Sequence, residues 1–84
     1  MLQRARKVKA LENMIIVIRF DNDEIRLYNC YPLLQNRLFK KLEDKDFFRT
    51  VHVDDMGLVC WDNATDIEPN VLFNESVPIT EAEI

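Results

Sequence analysis

Apolar and polar positions along Met14-Ile15-Ile16-Val17-Ile18-Arg19-Phe20 predict a β-strand, because four of the seven residues are β-branched and Gly and Pro are absent. Met14, Ile16, Ile18 and Phe20 fall on one face, and Ile15, Val17 and Arg19 on the other. The second face is half apolar, so something is expected to cover part of it. Glu24 to Asn29 alternates again, with Ile25 and Leu27 on one side and Glu24, Arg26 and Tyr28 on the other. If Asn22-Asp23 is a two-residue loop, Phe20 faces Ile25, Ile18 faces Leu27, and the apolar pairs share one face. That register sets Arg19 against Arg26 and Asp21 against Glu24, which the diagonal pairs Arg19–Glu24 and Asp21–Arg26 offset. Lys7 to Leu11 reads as a further strand.

From Tyr31 to Thr50 the period changes. Pro32 suits a first helical turn, and Leu34, Leu38 and Leu42 lie four apart with Phe39 beside them, one helical stripe. Asn36 is placed to cap Arg37 to Leu42, and Asp44 to cap Lys45 to Arg49, which predicts two short helices with a break. Val51 to Asp54 and Leu58 to Trp61 are two more strands, joined by Asp55-Met56-Gly57. A three-residue loop pairs Val53 with Val59 and Val51 with Trp61, and puts Gly57, the only glycine, where a left-handed residue is wanted. Asn63 to Glu68 reads as loop, with Asp66 or Glu68 placed to bond the free N–H groups of a helix opened by Pro69 and carrying Val71, Leu72 and Phe73. The fold class is α+β: a small, mainly antiparallel sheet with hairpins at about 7–29 and 51–61, and short helices at about 32–49 and 69–74 over one face. Residues 1–73 are expected to form a single small domain. Residues 74–84 form an acidic tail containing Pro78, expected to be poorly ordered unless docked.

At 84 residues such a domain buries roughly 60–65% of its unfolded surface, so its stability is narrow. No apolar run approaches the roughly 20 residues of a membrane span, and no apolar stretch follows the basic residues of MLQRARKVKALEN as a secretory signal requires. With two cysteines, Cys30 and Cys60, the expectation is reduced thiols and a cytoplasmic location. The net charge of −4 is unevenly placed: residues 1–49 hold all 11 Lys and Arg against 7 acids, and residues 50–84 hold 8 acids and no base. A solvated basic strand and an acidic tail account for most of this asymmetry.

Four places carry candidate chemistry. Phe20-Asp21-Asn22-Asp23-Glu24-Ile25 sets three carboxylates in four positions, but counted from Asp21 the calcium-loop pattern fails at the fifth, sixth and twelfth positions, Ile25, Arg26 and Pro32. A turn open to water is the better reading. His52 faces Cys60 across the second hairpin, with Asp54 and Asp62 on the same side, which admits a zinc site or a Cys–His nucleophile. One His, two Cys and no CxxC or HxxxH spacing favour a packed thiol and a surface His. Arg4, Arg6, Lys7 and Lys9 resemble a phosphate-binding edge without interleaved aromatics, and lysines on an edge strand also discourage aggregation. Trp61-Asp62-Asn63-Ala64-Thr65-Asp66-Ile67-Glu68-Pro69 offers a core Trp and loop formers rather than a ligand platform. No P-loop, dinucleotide fingerprint, Ser–His–Asp set or HExxH is present.

The pieces appear in a recognisable order: Met14-x-Ile16-x-Ile18-x-Phe20-Asp-Asn-x-Glu24, then Pro32-Leu33-Leu34, then Phe39-x-x-Leu42-x-Asp44-x-x-Phe47-x-x-Val51-x-Val53, then Trp61-x-Asn63-x-x-Asp66-Ile67-x-Pro69-x-x-Leu72. Over about residues 6 to 73 the chain resembles the small bacterial proteins grouped as domain of unknown function 2442. That family's turn reads Asn-Gly, and here Asp23 stands in place of the Gly. The resemblance implies a small cytosolic α+β protein with no established activity or catalytic residues, often encoded beside another small protein in a toxin–antitoxin-like arrangement. The leading expectation is therefore a non-catalytic protein-interaction module without cofactor or metal, an antitoxin-like partner of a neighbouring small protein. Its contact surface is expected in the acidic half, at Asp62, Asn63, Asp66 and Glu68, or at an uncovered sheet edge. The alternatives are an autoregulatory nucleic-acid-binding protein using Arg4, Arg6, Lys7 and Lys9, and a small enzyme around His52 and Cys60.

Overall fold

The computed structural model describes residues 4–80. Strands β1 (Ala5–Ala10), β2 (Ile15–Phe20) and β3 (Ile25–Asn29) form a meander. Two 3₁₀ segments (Tyr31–Gln35 and Arg37–Glu43) and helix α1 (Lys45–Phe48) follow, then β4 (His52–Val53), β5 (Val59–Asp62), β6 (Thr65–Asp66), α2 (Pro69–Glu75) and β7 (Val77–Ile79). All pairings are antiparallel, in a four-stranded sheet ordered β1-β2-β3-β7 and a three-stranded sheet ordered β4-β5-β6. The start of β1 joins the two hairpins: the Ala5 N–H donates to Gly57 O at 3.1 Å, and the Asp21 N–H donates to Arg4 O at 2.9 Å. One core lies between the sheets and the helices. Ile16, Ile18 and Phe20 from β2, Tyr28 from β3, Phe39 and Leu42, Phe48, Val51, Val59, Trp61, Ile67 and Leu72 all pack into it.

The second hairpin has the predicted register, His52 opposite Cys60 and Val53 opposite Val59. Gly57 takes φ +81°, and a Cβ there would stand 2.9 Å from the Arg4 Cβ, so both backbone and space require glycine. The first hairpin departs from expectation by one residue. Arg19 faces Ile25, Ile18 faces Arg26 and Ile16 faces Tyr28. The reason is the loop. The Asp23 N–H donates to Phe20 O and the Phe20 N–H to Glu24 O, each at 2.9 Å, so the loop has three residues, Asp21-Asn22-Asp23. Asp23 closes it in the left-handed region at φ 68°, the role that Gly57 plays in the other hairpin. Glycine adopts that conformation more easily, and the exposed Arg6–Asp23 ion pair that would be lost adds little. Asp23→Gly is expected to raise stability by about 0.5 kcal/mol, read from the urea midpoint.

This shift moves Arg26 and Tyr28 to the core face and sends Ile25 and Leu27 to the opposite face of the sheet, where Ile25 is still buried and Leu27 half-buried. Arg26 is accommodated because its guanidinium lies 4.4 Å from the centre of the Phe73 ring and bonds Ser76 Oγ at 2.7 Å and Ser76 O at 2.8 Å. The same clip fixes the end of α2, whose Phe73 meets Phe20 edge-on at 5.2 Å.

Both helix caps form: Asn36 Oδ1 accepts from the Leu38 N–H, and Asp44 Oδ1 from the Asp46 and Phe47 N–H groups. The expected leucine stripe does not. Arg37–Glu43 winds as a 3₁₀ helix with about three residues per turn, so positions three apart, Phe39 and Leu42, point inward while Leu38 is 56% exposed. Thr65–Asp66, expected as loop, pairs with β5. Residues 77–79 of the tail are docked as β7, with Ile79 opposite Ile25 and Val77 opposite Leu27. Pro78 fits there because an edge strand leaves one side without ladder bonds.

Candidate functional site

His52 and Cys60 do come together, with Cys60 Sγ 3.5 Å from His52 Nε2. His52 Nδ1 lies 2.9 Å from Thr50 O, a carbonyl that only accepts, so the proton sits on Nδ1 and Nε2 accepts from the thiol. Burial, then the negative fields of Asp54, Asp66 and Asp62, push the Cys60 thiol up. The arrangement favours the protonated thiol, whereas a nucleophile needs a thiolate. Cys60 is expected to alkylate with iodoacetamide more slowly at neutral pH than an exposed thiol. Its rate should climb only as the pH rises past the ordinary thiol range. Cys30 lies in the core, its pKa pushed by burial to about 12. Among the described residues no group of three or more His, Cys, Asp or Glu is placed to hold a metal ion.

The acidic-half residues divide. Asp62 pairs with Lys41 Nζ at 2.8 Å and accepts from the Ala64 N–H. The Lys41 bond first, with the nearby Thr65 hydroxyl (short of bonding geometry) and the Ala64 N–H, holds its carboxyl at about 2. Its stabilising effect is therefore present above about pH 4 and lost as the pH falls towards 2. Glu68 caps α2, accepting from the Asn70 and Val71 N–H groups. Asn63 and Asp66 stay exposed. Two of the three carboxylates of the first hairpin pair within the chain: Asp23 with Arg6 at 2.6 Å and Glu24 with Arg26 at 3.1 Å.

The basic residues of β1 do not form one patch. A bulge at Arg6 turns it towards Asp23, and the Arg4 stem covers Gly57. Lys7 and Lys9 point to the outer face of the four-stranded sheet, and the registers build two rungs across it. One runs Lys7, Arg19, Ile25, Ile79, and the other Lys9, Val17, Leu27, Val77. None of the five apolar residues in these rungs belongs to the main core cluster; Val17 and Ile25 are nevertheless buried, Leu27 and Ile79 are half-buried, and Val77 is 62% exposed. A dent of about 220 Å³ opens between the rungs, lined by Lys7, Val8, Lys9, Val17, Arg19 and Ile25. Sequence reading missed this surface because it assigned Ile25 and Leu27 to the core. The half-apolar second face of β2 was the one available signal.

A larger cleft of about 850 Å³ lies between the β1–β2 turn and α1, over Met14, Leu34, Leu42 and Phe48, with Glu12, Glu43, Lys45 and Arg49 around it. His52, Cys30 and Cys60 lie outside its lining.

Two hairpins around one core, short capped helices and a fourth strand returning to the first sheet define a small α+β domain. The chain belongs to the family described as "Protein of unknown function (DUF2442)", whose family model matches residues 5–78. No curated protein matches the chain, and no solved structure does. No described helix is long and apolar enough to cross a membrane.

Proposed function

We propose that this protein is a non-catalytic interaction module of the bacterial cytoplasm, and that it holds a partner protein on the outer face of its four-stranded sheet. The observation that carries this reading is the β3–β7 end of the rungs, where Leu27, Ile79 and the exposed Val77 lie side by side outside the core cluster. The raised thiol of Cys60 supports a non-catalytic role. The internal commitments of Asp62 and Glu68 favour the sheet over the acidic half as the contact surface. The division of the β1 bases and the lack of aromatic side chains in the rungs weigh against nucleic acid as the ligand. The reading extends to an antitoxin-like role beside a neighbouring small protein, as the resemblance implies.

Co-expression with the protein encoded by the adjacent reading frame tests it. The two are expected to co-purify at physiological salt, and Leu27→Glu is expected to separate them while leaving the circular dichroism spectrum unchanged. A chain that purifies alone beside its expressed neighbour overturns the reading.

A further inference from the structure

We propose that the cleft beside α1 binds a short apolar peptide with free termini, a zwitterion whose side chains lie on the cleft floor and whose charged ends meet opposite sides of the mouth. At about 850 Å³ the cleft falls within the size range of small-ligand sites, roughly 300–1,000 Å³. Its floor is apolar, formed by Met14, Leu34, Leu42 and Phe48. Two more apolar side chains line it and are left open to water, Leu11 at 36% and Tyr31 at 66% exposed. The side chains of a bound peptide would take both out of water. The charges around the cleft are of both signs. Lys45 and Arg49 lie four residues apart along α1 and its C-cap, and so share one side of it. Glu12 lies on the β1–β2 turn across the cleft, and Glu43 ends the second 3₁₀ segment. Among the described residues none of these four side chains enters an ion pair.

Opposite charges that line one cleft without meeting leave a gap for a ligand charged at both ends. An anion alone would leave Glu12 and Glu43 unanswered, and a cation alone would leave Lys45 and Arg49. An extended dipeptide carries its ammonium and carboxylate about 7 Å apart, with two side chains between them for the floor. The turn that forms one wall supports a binding role. The Ile15 N–H donates to Glu12 O at 3.3 Å and closes a two-residue turn in which Asn13 (φ 61°) and Met14 (φ 64°) are both left-handed. Asn tolerates that conformation, but the second position usually falls to glycine, and a methionine there strains the backbone. What the strain retains is a side chain. Met14 is half-buried against the core and faces the cleft, where its unbranched thioether adapts to different apolar ligands.

Three probes test this: the dipeptide leucyl-phenylalanine, its N-acetyl form, which lacks the ammonium, and its C-terminal amide, which lacks the carboxylate. Titrated into isotope-labelled protein, the free dipeptide is expected to shift the amide resonances of Leu11, Glu12, Asn13, Met14, Lys45 and Arg49. It should bind about tenfold more tightly than either capped form. The double variant Lys45→Ala/Arg49→Ala is expected to erase its advantage over the amide. The double variant Glu12→Gln/Glu43→Gln is expected to erase its advantage over the acetylated form. All four residues are exposed, so both variants should keep the parental circular dichroism spectrum. Equal affinity for the three probes, tighter binding of either capped form, or shifts that fall on the outer sheet face overturn the proposal. So does an absence of shifts at millimolar peptide. Co-purification with the neighbouring protein reads the outer sheet face and is independent of this site.

Discussion

Arg26→Ala is expected to lower stability by about 3 kcal/mol and the thermal midpoint by more than 10 °C. The side chain is 12% exposed, so its contacts are made away from bulk water. It stacks on Phe73, donates to the hydroxyl and carbonyl of Ser76, and pairs with Glu24. A stacked guanidinium contributes about 0.5–2 kcal/mol, and hydrogen bonds from a charged donor about 1.5–3 kcal/mol. These contacts tie α2 and β7 to β3, so the loss should be local first. Limited proteolysis is expected to cut between Glu75 and Thr80 in the variant before any other site. Arg26→Lys is expected to recover less than half of the loss, because an ammonium neither stacks flat nor bonds two acceptors in one plane. A variant that unfolds at the parental temperature would show that the clip is ornamental to the fold.

Trp61→Ala is expected to lower stability by about 4 kcal/mol, which for a domain of this size is a large fraction of the total. Trp61 is buried, stacks on Phe48 with ring centres 6.0 Å apart, and donates its indole N–H to Phe48 O at 2.8 Å. That bond ties β5 to the end of α1. Trp61→Phe separates the two contributions. It keeps an aromatic on Phe48 but takes one of two donors from Phe48 O, leaving the Val51 N–H at 3.3 Å, and about 1 kcal/mol should be lost. Chemical denaturation followed by circular dichroism checks both variants, since the fluorescent residue itself is removed. If Trp61→Phe matches the parent, the hydrogen bond contributes nothing measurable.

How much of this was readable beforehand depended on whether one residue settled a local geometry. Gly57 announced a left-handed position, and the β4–β5 register followed from it. Asn36 and Asp44 announced caps, and both caps formed. The β2–β3 register was misread because its left-handed residue is Asp23, which gives no such signal, and because β2 is apolar on both faces. Counting apolar pairs then favoured putting Ile25 and Leu27 inside. The core takes Tyr28 and the stem of Arg26 instead, a choice that depends on Phe73 and Ser76, some fifty residues away. The candidate surface was hidden by the same misreading, which put Leu27 on the core face, and by the reading of Val77 and Ile79 as tail. In the 3₁₀ segments the leucine spacing suggested a wider turn than the backbone adopts, and β7 was obscured by Pro78, which reads as a breaker unless the strand is known to be an edge.

The order β1-β2-β3-β7 also sets a timetable. On a ribosome the meander and the second hairpin can assemble as they emerge, but β7 is translated after every other strand, and it alone covers the free side of β3. Until it arrives, β3 presents an open row of backbone donors and acceptors, and until α2 is made its Arg26 has no ring to stack on. The nascent domain is thus most prone to mispairing, and most attractive to chaperones, in the interval between the synthesis of Asn29 and that of Ile79.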